Sequence, residues 1–177
     1  MSGMIARNIK DILFSLLLVT LVISVSFASE ATEQQPNVYT EIAIADVAET
    51  LDLLGLPYQL EPVAGEGIVA DTRLVVLDKM TWFLYGYNCS GQQQKCSELQ
   101  MRAVIQRTVS DEKRPDLLNT WNRNSRFVRA YTSVSSKAVI LEMDIYLAGG
   151  VALGNITDQF LLWRQSLSEF TEYLEQE

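Results

Sequence analysis

Glu142 and Asp144 stand two residues apart in Leu141-Glu142-Met143-Asp144-Ile145, alternating with apolar neighbours. On a strand, that spacing sends both carboxylates to one face. There, such a pair can divide the acid and base roles of a hydrolysis or hold a hard cation such as calcium. The plainer expectation is a solvated strand face, with Arg102 or Arg129 as cross-strand partners. Arg123, Arg126 and Arg129 crowd a single connection, where guanidinium forks could clamp a carboxylate or phosphate ligand. The plainer expectation is that they pair with the domain's own carboxylates or with helix-end carbonyls. Asn119 and Asn122 flank Trp121, and asparagines near a helix end are expected to cap backbone groups while the indole fills core.

Cys89 and Cys96 enclose a polar, Gly-containing segment between two strand-like runs, and a pair this close reads as a disulfide bridging neighbouring strand ends. Closing so small a ring contributes about 2.5 kcal/mol in the chain-entropy account. A redox-active pair would instead need a Cys-x-x-Cys spacing at a helix start, which these residues lack. Trp82, Phe83, Tyr85 and Tyr87 lie in one β-favouring run, where alternation sends Phe83, Tyr85 and Tyr87 one way and Trp82 with Leu84 the other. At least one of the two sets is free to face a partner, and aromatic side chains are enriched where proteins dock.

The chain has no histidine. Ser-His-Asp and Cys-His catalysis and most zinc sites therefore have no imidazole to use. No pattern calls for a metal or another cofactor.

Arg7 and Lys10 precede an apolar run from Ile12 to Phe27, and Ser26-Phe27-Ala28 offers small residues for a signal peptidase. The run is shorter than the roughly 20 residues of a comfortable membrane span and lacks a basic stop-transfer cluster. Residues 1–28 are thus expected to be a signal peptide cleaved after Ala28, residues 29–38 a flexible leader, and residues 39–177 one exported domain, periplasmic or secreted. Cleavage removes Arg7, Lys10 and Asp11 from the 14 basic and 22 acidic residues, taking the formal net charge from −8 to −9. So acidic a domain should repel nucleic acid and anionic membrane surfaces.

These residues must be positioned by a small set of elements. Ile44, Val47, Ala48, Leu51 and Leu54 recur at helical spacing and meet a stop at Gly55 and Pro57. Leu99, Met101, Ala103 and Ile105 alternate with Glu98, Gln100 and Arg102, as a strand with one buried and one wet face would. Pro115 opens a short second helix, and Arg129–Val134 with Ala138–Ala148 form a hairpin closed by Gly149-Gly150. Ile156, Phe160, Trp163, Leu167, Phe170 and Leu174 mark a long last helix, better suited to packing on its own sheet than to a coiled coil. The order helix, strands, helix, strands, helix predicts an α+β domain in which helices pack on an antiparallel sheet.

Asn119–Tyr131 (NTWNRNSRFVRAY) followed by Leu141–Val151 (LEMDIYLAGGV) resembles the signature of the YbjN family, bacterial proteins labelled sensory transduction regulators. The similarity extends from about Ile44 to Tyr173 through Asp46-Val47, Gly55, Tyr87, Cys89, Cys96, Leu99, Trp121-Asn122, Arg126-Phe127, Ala130-Tyr131, Glu142, Asp144 and Trp163. It departs at Asp78-Lys79, where a glycine is usual, which bears on the register of the flanking strands. The resemblance implies a type III secretion chaperone-like α+β fold, binding to another protein or pairing as a homodimer, and no catalytic residue. The expected function is that of an exported, non-catalytic, protein-binding regulatory domain. A periplasmic small-ligand sensor using the three arginines is the alternative, followed by a hydrolase using Glu142 and Asp144.

Overall fold

The structure is a computed structural model that describes residues 37–61, 70–106 and 110–176. The segment read as a signal peptide, and the leader as far as Pro36, lie outside the described residues.

Two short strands, β1 (Val38–Tyr39) and β2 (Ile42–Ala43), precede helix α1 (Ile44–Leu53). Strands β3 (Tyr58–Glu61), β4 (Thr72–Leu77), β5 (Thr81–Ser90) and β6 (Lys95–Ile105) follow, then α2 (Arg114–Asn124), β7 (Arg129–Thr132), β8 (Val139–Tyr146), β9 (Val151–Ala152) and α3 (Leu153–Glu175). Every pairing between described strands is antiparallel. The main sheet runs β3-β4-β5-β6-β8-β7, with β2 laid against the start of β6, while β1 and β9 form a separate ribbon. This is the expected α+β architecture. Val38, placed in the leader by its sequence, pairs with Ala152 and so belongs to the domain.

Local chemistry explains the boundaries. Gly55, at φ +65°, lets the chain leave α1 through a left-handed turn in which the Gly55 N–H donates to Asp52 O and the Leu56 N–H to Leu51 O. Pro115 occupies the first turn of α2, where its missing N–H costs no helical bond. The β4–β5 turn keeps Leu77 opposite Thr81 without a glycine at Asp78-Lys79. Asp78 accepts from the Lys79 N–H at 2.7 Å, and Arg164 of α3 donates to it through Nε at 2.6 Å. Partial burial works against the Asp78 charge, but Arg164 and the Lys79 N–H prevail and hold its pKa below the ordinary carboxylate value.

All three helices share one core on one face of the sheet. Val47 and Leu51 of α1, Leu118 and Trp121 of α2, and the six-residue apolar stripe of α3 meet Leu74, Trp82, Leu84, Met101, Leu141 and Met143 there. Trp82 lies edge-on to Trp163, with ring centroids 5.9 Å apart, and Trp121 sits 4.7 Å from Phe170. The apolar stripe of α3 is thus spent on its own sheet.

Cys89 and Cys96 face each other across β5 and β6 and form a disulfide. Gly86 lies beneath it, and an added Cβ would meet Cys96 Sγ at 2.5 Å and Thr72 Cγ2 at 2.8 Å. Gly86→Ala is therefore expected to lower the melting temperature and leave a larger fraction of alkylatable thiol than the parent. Trp163→Ala should cost about 3–5 kcal/mol by opening a core cavity, measured by urea unfolding. Both checks use the purified, oxidised protein.

Candidate functional site

The opposite face of the sheet carries the residues that pointed to chemistry. Alternation along β4 to β8 brings Arg73, Phe83, Tyr85, Tyr87, Gln100, Arg102, Glu142 and Asp144 to that face, and β7 adds Arg129 and Tyr131. Register aligns them in rows across the strands: Phe83, Arg102, Glu142 and Arg129 in one, and Arg73, Tyr85, Gln100 and Asp144 in the next.

Glu142 is the hub. Arg129 donates to its Oε2 through Nε at 3.0 Å, with Nη2 2.9 Å away. The Tyr131 hydroxyl donates to Oε1 at 2.5 Å, and Arg102 Nε lies 3.3 Å from the same oxygen. The residue is 3% exposed. The expected solvated face is thus corrected at this position: Arg102 and Arg129 are the partners foreseen, but together with Tyr131 they enclose the carboxylate. Both oxygens of Glu142 are thus engaged, Oε2 by Arg129 and Oε1 by Tyr131. Asp144, more than half exposed, is 3.5 Å from Arg129 Nη2 and accepts from Gln100 Nε2 at 2.7 Å. Gln100 in turn accepts from the Tyr87 hydroxyl at 3.1 Å, completing a polar chain from β5 to β7.

The electrostatics follow from this wiring. Burial, the hydrogen bond to Glu142 and its negative charge raise the Tyr131 pKa from 10.0 to about 12. Burial and the charge of Glu142 also push Tyr87 up. Burial disfavours the Arg129 cation, but its hydrogen bond to Glu142 and the charges of Asp144 and Glu142 outweigh that and raise its pKa.

Phe83, Tyr85 and Tyr87 form a ladder with centroid spacings of 6.0 and 6.4 Å, and the Arg73 guanidinium caps the Phe83 ring at 5.2 Å. Phe83 and Tyr87 are half-buried and Tyr146 at the end of β8 is 66% exposed, but Tyr85 is 2% exposed on the same face and is corrected as a docking residue, its ring being closed in between its neighbours. Trp82, the fourth aromatic of the run, is corrected as a docking residue. Alternation turns it to the helix face, where Phe160 and Trp163 bury it completely.

The three arginines are engaged separately. Arg129 serves Glu142 and Asp144, Arg126 is exposed and stacks on Phe127 at 4.8 Å, and Arg123 is exposed on α2. Asn122 clamps the backbone of edge strand β7, accepting from the Ala130 N–H at 2.8 Å and donating to its carbonyl at 2.9 Å. Sequence reasoning missed Arg73 as part of the aromatic ladder and Tyr131 as a Glu142 ligand. In both cases the periodicity of Thr72–Leu77 and Arg129–Thr132 held the signal. Among the described residues, no group of three or more Cys, Asp or Glu side chains is placed to hold a metal ion, and no helix is long and apolar enough to cross a membrane.

Residues 44–176, which include every residue of this face from Arg73 to Tyr146, match a family model described as "Putative bacterial sensory transduction regulator". The chain belongs to the YbjN family. No curated protein matches it in sequence. Within the matched residues, Asn122 and Ala130 are the two sides of the edge clamp, and Tyr131 and Glu142 are the short hydrogen bond at the hub.

Glu142→Gln, which leaves the largely buried Arg102 guanidinium beside an amide, is expected to cost about 3 kcal/mol. Asp144→Asn should cost under about 1 kcal/mol, since that pair is open to solvent; equilibrium urea unfolding checks both. The Tyr131 shift fixes a sign in pH. Its stabilising contribution is complete below the unfolded pKa near 10 and is lost as pH rises to about 12, because the unfolded state gives up the proton first. Tyr131→Phe should remove that part of the alkaline stability loss, read from melting curves between pH 9 and 12.

Proposed function

We propose that this YbjN chain is an exported, non-catalytic regulatory domain that works by holding another protein against the open face of its sheet. The observation that carries the reading is a single surface combining the half-buried rings of Phe83 and Tyr87, an exposed Tyr146 and charges already paired among themselves. A partner that covers such a face gains aromatic contact area without having to strip water from isolated charges. The apolar stripe of α3 is committed to the core, so docking belongs to the sheet face and not to that stripe. The binding reading needs no cofactor.

Export rests on the sequence of Met1 to Ala28 and accords with the disulfide, which persists in oxidising compartments. Intact mass of protein extracted from the envelope is expected to show loss of residues 1–28 and no free thiol before reduction. A full-length mass with two alkylatable thiols would contradict export.

A photo-crosslinking residue substituted at Tyr146 or Phe83 should trap a protein adduct in the native cell, and one at Glu169 on the outer side of α3 should not. The adduct mass separates a second copy of this chain from another protein. Adducts formed at Glu169 alone would place the interaction elsewhere.

A further inference from the structure

The two edges of the main sheet are treated differently. At β7 the Asn122 amide satisfies both backbone groups of Ala130, so another strand cannot pair there. At β3, described residues pair with one side only, that of β4. The Leu77 N–H donates to Pro57 O at 2.7 Å, and antiparallel alternation makes Gln59 with Val75 and Glu61 with Arg73 the next bonded pairs. The N–H and C=O groups of Tyr58 and Leu60 therefore point away from β4, towards an edge that no other described strand pairs.

Beside that edge, on the helix face, lies a cleft of about 310 Å³ lined chiefly by Ile44, Ala45, Ala48, Tyr58, Leu60 and Leu74. Leu60 is 70% exposed. A strand added outside β3 would direct the side chains opposite Tyr58 and Leu60 to the same face as theirs, over the cleft. The segment that carries α1 and β3 is acidic, with Lys95 beside Ala43 and Arg73 beside Glu61 as the nearby cations. Residues 37–61 hold Glu41, Asp46, Glu49, Asp52 and Glu61 and no Lys or Arg. Only Glu61 of these has an ion pair among the described residues, with Arg73 at 2.9 Å, whereas Asp46, Glu49 and Asp52 stand exposed on α1.

We propose that β3 accepts an extended, basic peptide segment as an additional strand, with an apolar residue of that segment seated in the cleft and its Lys or Arg residues facing the α1 carboxylates. The backbone groups of Tyr58 and Leu60 supply affinity, the cleft selects an alternating apolar side chain, and the acidic surround selects charge. This surface lies at the β3 edge and on the helix face, and the proposal does not rest on a partner covering the opposite sheet face.

The test uses a blocked, fluorescent nine-residue peptide alternating valine with lysine, a counterpart with glutamate for lysine, and a third version N-methylated along one edge. Binding to the oxidised protein is followed by anisotropy. The lysine peptide is expected to bind saturably, at least tenfold more tightly than the glutamate peptide and more weakly as salt rises, and N-methylation on the pairing edge should abolish binding. Leu60→Pro, which deletes an outward N–H at an edge position, should weaken binding at least tenfold. Ala45→Lys, an exposed helix position at the cleft mouth, should do the same should the proline variant fail to fold. Val134→Ser, at an exposed position of the β7–β8 turn, should leave peptide affinity unchanged. Absence of saturable binding by the lysine peptide, equal affinity for the two charge versions, or indifference to N-methylation would overturn the proposal.

Discussion

A chain with only three described helices can cover one face of a seven-stranded sheet, and the other face must be stable without them. The helix face is settled by burial: Trp82, Trp163, Phe160, Trp121 and Phe170 fill a core in which α3 is the principal cover. The second face is settled by pairing. Glu142 alone would be an expensive charge to enclose, but Arg102, Arg129 and Tyr131 reach it from the strands on either side. The register of β6, β7 and β8 is what brings them there, and a one-residue slip of any of these strands would turn its share of them to the apolar core. The polar face therefore specifies strand register as firmly as the core does.

That arrangement has a consequence for recognition. Charges that are already paired and tyrosines already hydrogen-bonded present a partner with a surface of fixed shape, so little side-chain entropy remains to be lost on docking. The edges divide in the same spirit. Asn122 closes β7, and the Asp78–Arg164 contact ties the β4–β5 turn to α3. At β3, by contrast, the backbone donors and acceptors of Tyr58 and Leu60 face away from β4.

How much of this is legible in the sequence depends on the length scale of each signal. The stripe from Ile156 to Leu174 spans about five helical turns and identifies α3 as a sheet-packed helix, as found. The alternation of Leu99 to Ile105 gives the buried side of β6 correctly, and the Cys89/Cys96 spacing gives the hairpin and its bridge. The two-residue strands β1, β2 and β9 are too short to carry a period. Burial of Glu142 escapes for a different reason. A carboxylate between Leu141 and Met143 looks the same in sequence whether its face is wet or closed by arginines from two other strands, because that closure is set by register across distant segments. Trp82 shows the opposite limit: its parity in the strand is legible, but which of the two sets meets the helices is decided only by packing.

The central claim is that the aromatic and ion-paired sheet face is the working surface of this YbjN domain. Hydroxyl-radical footprinting, with the protein in its native cellular setting and after purification, tests it most directly. Oxidation of Tyr146 and Phe83 should be markedly lower in the native setting, with Leu161 on the outer side of α3 unchanged. Equal oxidation of Tyr146 and Phe83 in both states, with protection confined to Leu161, would contradict the account.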